Sequence, residues 1–74
     1  MSTVYAAGVL PLTGDQVRIN ERVAPTESCD RWLTVAWARP CDDPTWAHLV
    51  GRWDDGRPGH TMVWLDRIVV RRNR

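Results

Sequence analysis

Five tryptophans fall within 74 residues that contain no phenylalanine and no lysine. A chain of that length buries only about 60% of the surface it exposes when unfolded, and each large aromatic side chain brings roughly 150–250 Å² to be covered. One thin core cannot take all five indoles. The fold must therefore divide them between an interior and a contact face.

The same arithmetic makes residues 1–74 a single domain with an expected radius of gyration near ~11 Å. Apolar residues make up 43% of the chain, slightly below the usual share, so some of the tryptophans have to be structural. Stability is expected to be marginal unless a metal, a disulfide or a partner chain adds to it.

Formal net charge is +1, but it is unevenly spread. Residues 1–40 balance, residues 41–56 are acidic (Asp42, Asp43, Asp54 and Asp55 against Arg52), and residues 57–74 are basic, with five arginines against Asp66. All ten basic residues are arginine, and residues with GC-rich codons crowd out Lys, Phe, Ile and Asn. That points to a GC-rich bacterial genome, or a phage or plasmid within one. It also weakens any reading of each arginine as chosen for bidentate recognition.

No basic region precedes the apolar stretch Val4 to Leu10, which Gly8 and Pro11 interrupt, so no signal peptide is read here. Nothing approaches the length of a membrane span. The expectation is a cytoplasmic protein with two reduced cysteines.

Hydrophobic periodicity predicts β-structure throughout. Residues 3–10 read as a first strand or an N-terminal arm ended by Pro11. After the turn at Thr13-Gly14-Asp15, residues 16–23 alternate apolar and polar with period two. Residues 31–38 form a second strand, closed by Pro40. Asp43-Pro44-Thr45-Trp46 admits a short helix over 44–50, with Asp43 as N-cap and Gly51 as C′ residue. The favoured reading is a hairpin instead, with residues 47–53 and 60–65 flanking the loop Asp54-Asp55-Gly56-Arg57-Pro58-Gly59. A last strand covers 68–71, followed by a short basic tail.

Five short strands, the Gly14-Asp15-Gln16-Val17-Arg18 opening and the strand, tight turn, strand pattern over 63–70 resemble the SH3-like small β-barrel. The resemblance covers roughly residues 13–71 and is to a superfamily, not to a particular family. It implies an all-β, five-stranded SH3-like barrel of a kind that is mostly non-enzymatic and binds nucleic acid or peptide segments. An OB-like barrel is the nearest alternative, and α+β with a short helix at 44–50 is another.

Strand parity sharpens the division of the tryptophans. In residues 31–38, Leu33, Val35 and Trp37 share one face, while Trp32, Thr34, Ala36 and Ala38 share the other. The better core set is Leu33, Val35 and Trp37, which leaves Trp32 outward unless a bulge resets the parity. Likewise Val63 and Leu65 read as core and Trp64 as outward. Trp32, Trp53 and Trp64 on neighbouring strands would form an aromatic face flanked by Arg31, Arg52 and Arg67. Such a face can stack bases. It also suits a proline-rich or apolar peptide, or a second copy of the chain. Arg67, Arg71, Arg72 and Arg74 make the C-terminus basic and are candidate phosphate contacts, or simply a solvated tail.

Cys29, Cys41, His48 and His60 are all the cysteines and histidines present. They lack the paired spacing of zinc ligands, so no metal or other cofactor is expected. The strand between the cysteines spans about 26 Å, too far for a disulfide without strong folding back of the loops. An enzyme is not expected either, although Asp42-Asp43 and Asp54-Asp55 could meet near one end of a barrel as an acid–base or metal pair. Loop acids beside Pro and Gly are more often turn formers. The leading expectation is a nucleic-acid-associated accessory protein with Trp32, Trp53 and Trp64 as stacking groups and Arg67, Arg71 and Arg72 as phosphate partners. A protein-interaction module, either docking on a host protein or forming a homodimer, is the alternative.

Overall fold

A computed structural model describes residues 3–73. Six strands form one antiparallel sheet: β1 (Thr3–Ala7), β2 (Gln16–Ile19), β3 (Arg31–Pro40), β4 (Trp46–Trp53), β5 (Pro58–Trp64) and β6 (Val69–Asn73). A single 3-10 turn, Leu65–Arg67, lies between β5 and β6. In space the order is β1-β6-β2-β3-β4-β5.

This order corrects the barrel. Among the described residues β1 pairs only with β6, and β5 pairs only with β4, so the two outermost strands do not meet and the sheet is open. At its far end the outward amide of β5, that of Trp64, donates to the Val23 carbonyl in a connecting loop (2.8 Å) rather than to a strand. The sixth strand is the N-terminal segment, laid along β6. All-β character holds, whereas neither the SH3-like nor the OB-like barrel does.

A lone sheet can bury one face only by curling over it. Val17, Ile19, Leu33, Val35, Ala47, Leu49, Trp53, Val63 and Val70 point to the concave side, and Val23, Ala24 and Ile68 close it from the loops. The radius of gyration is 11.2 Å. Among the described residues no helix is long and apolar enough to cross a membrane.

Local chemistry explains the element boundaries. β2 stops early because Asn20 starts a turn: its Oδ1 accepts the Arg22 amide (2.9 Å), and its carbonyl accepts the amides of Val23 and Ala24. The helix over 44–50 does not form. Asp43 uses its carboxylate oxygen Oδ1 to accept the Thr45 amide (3.0 Å) and hydroxyl (2.8 Å), and its carbonyl takes the Trp46 amide, making a tight turn into β4. At the other hairpin, the Trp53 amide donates to the Arg57 carbonyl, and Gly56 supplies a φ of 87°.

Two tryptophans lie where parity alone does not place them. Val35 pairs with Gly51 but Trp37 with Val50, so Ala36 is an extra residue and the parity resets. Trp37 is thereby turned outward, 41% exposed, and Ala38 packs against the core in its stead. Gly51 permits the bulge, since a Cβ there would stand 1.9 Å from the Thr34 carbonyl oxygen. Trp53 is the reverse case, expected outward and found 8% exposed in the core. It pairs across from Leu33 on the concave face and packs on Gly59, where a Cβ would stand 2.0 Å from the indole nitrogen.

Candidate nucleic-acid interface

On the convex side, pairing draws together side chains remote in sequence. Tyr5 of β1 and Gln16 of β2 both face Arg71 of β6, and Arg18 of β2 faces Trp32 of β3. The Arg71 guanidinium lies 4.0 Å from the Trp32 ring centroid, and its Nε donates to Gln16 Oε1 (2.8 Å). That contact holds the cation flat on the indole. Next to it a cleft of about 460 Å³ is lined by Tyr5, Trp32, Val69, Arg18, Arg22 and Arg67.

Arg67 links this cleft to a second stack. Its guanidinium lies 4.4 Å from the Trp64 ring, its Nη1 donates to the Arg22 carbonyl (3.4 Å), and Trp64 in turn meets Trp46 at 4.5 Å. The result is a band running Trp46, Trp64, Arg67, Trp32, Arg71, Tyr5, in which cations alternate with aromatic rings from Trp64 onward. Arg18 is partly neutralised: it donates through Nε to Asp30 (2.9 Å), which raises the Arg18 pKa and lowers that of Asp30. Arg22, Arg67 and Arg71 make no ion pair among the described residues.

Of the expected site residues, Trp32, Trp64, Arg67 and Arg71 thus come together. Trp53 is in the core, and Arg31 is spent on holding it, its guanidinium 3.7 Å above the indole and its Nη2 donating to Glu27 (3.1 Å). Arg52 is exposed on β4, donating to the Gly56 carbonyl (2.9 Å) and lining a separate cleft around the bulge. Arg72 sits next to Arg71 but on the opposite face. It donates twice to Asp15 (2.8 and 2.7 Å), a carboxylate whose residue is 2% exposed, and this hydrogen bonding raises the Arg72 pKa. Its task is to pair a buried charge. Arg74 lies outside the described residues.

The remaining candidates separate. Asp42 and Asp43 occupy the turn before β4, while Asp54 and Asp55 occupy the turn after it, so the whole length of the strand keeps the two pairs apart. Cys29 is exposed and Cys41 half-buried, both as free thiols. His48 and His60 do meet, with ring centroids 5.6 Å apart, yet among the described residues no group of three or more His, Cys, Asp or Glu gathers to hold a metal.

Tyr5, Arg18, Asn20, Arg22 and Val69 are cleft residues that sequence reasoning did not single out. Arg18 was within reach, because alternation already places it opposite Val17 and Ile19. Tyr5 was not, since its place depends on β1 pairing with β6 from the other end of the chain. No protein-family model matches the chain, and no curated protein and no solved structure matches it either.

Proposed function

We infer that this protein is a non-enzymatic module that acts in the cytoplasm by binding single-stranded nucleic acid along the arginine–aromatic band. The cleft flanked by Trp32 and Arg71 carries the reading. Tyr5 is 63% exposed and offers an unobstructed ring. A base stacked there gains roughly 1–3 kcal/mol. Arg22 and Arg67 stand at the same cleft as phosphate donors. Duplex fits less well, because its bases are already stacked and a net charge of +1 gives weak long-range attraction to its phosphates.

The test is fluorescence anisotropy with a labelled single-stranded oligonucleotide over a salt series, with duplex as comparison. Binding should weaken steeply with salt. The double variant Arg22→Ala/Arg67→Ala should reduce the slope of log K against log salt by about 1.4, roughly 0.7 for each lost phosphate contact. Absence of any single-strand binding at low salt would overturn the assignment.

A further inference from the structure

The open edge of the sheet at β5 has a pattern that matches itself. β5 carries no charged residue, has a regular pairing with β4, and leaves its far side without a strand. Exposed edges in stable monomers are commonly blunted by charges, bulges or covering segments. Proline stands only at the first position of β5; at the last, the Trp64 amide donates to Val23, and Pro25 and Thr26 of the same loop line a groove beside His60 and Met62. Period-two alternation sends the amides of His60 and Met62 the same way as that of Trp64, away from β4.

We propose that two copies of this chain pair antiparallel along β5, about a twofold axis at Thr61, to form one continuous twelve-stranded sheet. In that register His60 of one copy faces Met62 of the other, and each of these two pairs exchanges two backbone hydrogen bonds. Pro58, which has no amide hydrogen, faces Trp64, whose amide is already taken. The two missing donors therefore coincide, and the ladder ends where it has nothing left to give.

The side chains agree with the backbone. On the convex face the register sets the Met62 thioether against an imidazole and the Trp64 indole against a proline ring, both favourable contacts. Met62 is 46% exposed in the single chain, beside a groove of about 760 Å³ that Trp46, His48 and His60 also line. On the concave face Thr61 lies at the axis with its side chain already covered within its own chain, and the two backbones take the close spacing of a non-hydrogen-bonded pair. Thr61 is 4% exposed and its hydroxyl is buried without a partner. No like charges oppose one another along the strands, as a self-pairing edge requires.

The experiment is sedimentation and light scattering of nuclease-treated protein from about 10 μM to about 1 mM, together with amide hydrogen exchange. The expected result is a concentration-dependent rise to twice the 8.5 kDa chain mass, with the His60 and Met62 amides slowing in parallel. Met62→Pro removes an outward amide from an edge strand, which the single chain tolerates. His60→Glu/Met62→Glu places carboxylates opposite one another without altering the backbone. Each variant should remain folded by circular dichroism and weaken association at least tenfold. A wild-type chain that stays at its monomer mass throughout would overturn the proposal. So would a dimer that survives both variants with the His60 and Met62 amides unprotected, because the interface would then lie elsewhere, for instance along β1. This inference does not depend on nucleic-acid binding and can fail without it.

Discussion

The convex face has two halves that use the same aromatic residues differently. On the β1, β6, β2 side, Trp32 is paired with a cation, and the surrounding cleft collects Arg18, Arg22 and Arg67. On the β3, β4, β5 side, rings also meet rings: Trp46 meets Trp64, Trp37 meets His48 at 5.6 Å, and His48 meets His60, while Arg39 lies 5.1 Å from the Trp37 ring and Arg67 over Trp64. The first half offers charge beside an open stacking surface. The second offers apolar area beside an open edge. The strand neighbours make this difference, since Trp32, facing β2, has among the described residues only a cation on its ring, whereas Trp37 and Trp46, paired with β4 and β5, gain His48 and Trp64 as ring partners.

Two adjacent residues of β6, Arg71 and Arg72, point to opposite faces and separate stability from binding most clearly. Arg72→Ala removes two of the hydrogen bonds on the buried Asp15 carboxylate, which keeps the Leu12 amide (2.8 Å), and should give the largest loss of stability in urea unfolding. Asp15→Asn tests the same pair from the other side and should be milder, because it removes the buried charge itself. Gly59→Ala acts on the common core beneath both halves. Its new methyl displaces the Trp53 indole, with an expected loss of about 1–3 kcal/mol and a red shift in tryptophan emission. Arg71→Ala should hardly affect stability, by about 1 kcal/mol or less. It should weaken single-strand binding roughly tenfold at low salt, a loss of about 1.4 kcal/mol. If Arg71→Ala instead unfolded the protein, the cation on Trp32 would be structural and the two halves would not differ in kind.

The smallest effect is acidic. Hydrogen bonds from Arg18 hold the Asp30 carboxyl below its usual range, and the Thr45 amide and hydroxyl do the same for Asp43. A carboxyl with a depressed folded-state pKa contributes stability that is fully present above its unfolded value, about 3.9, and is lost as pH falls through the folded value. Melting temperature should therefore decline below about pH 4. Asp30→Asn and Asp43→Asn should each make that decline shallower, most visibly at low salt, where the exposed Arg18–Asp30 pair is least screened.

Much of this was legible in the chain. Alternation placed Val17, Ile19, Leu33, Val35 and Val63 in the core and Arg18, Trp32 and Trp64 outside it, because a strand's two faces follow from counting residues. The hairpin around residues 54–57 was announced by its Asp-Gly pair. Counting failed at Trp37, where one extra residue reverses the faces, and the glycine that makes the bulge possible lies on another strand. It failed again at Trp53, whose burial depends on Gly59 across the hairpin and on Arg31 above the ring.

Local pattern thus dictates the kind of element and, between irregularities, the face of each side chain, since both are set by interactions within a few residues. Tertiary structure alone decided which strands lie side by side, that the sheet stays open, and which arginines are free. Those outcomes rest on pairings between residues far apart in the chain, such as Tyr5 with Arg71 and Arg72 with Asp15. No local pattern encodes them, because the energy of each contact exists only once both partners have been brought together.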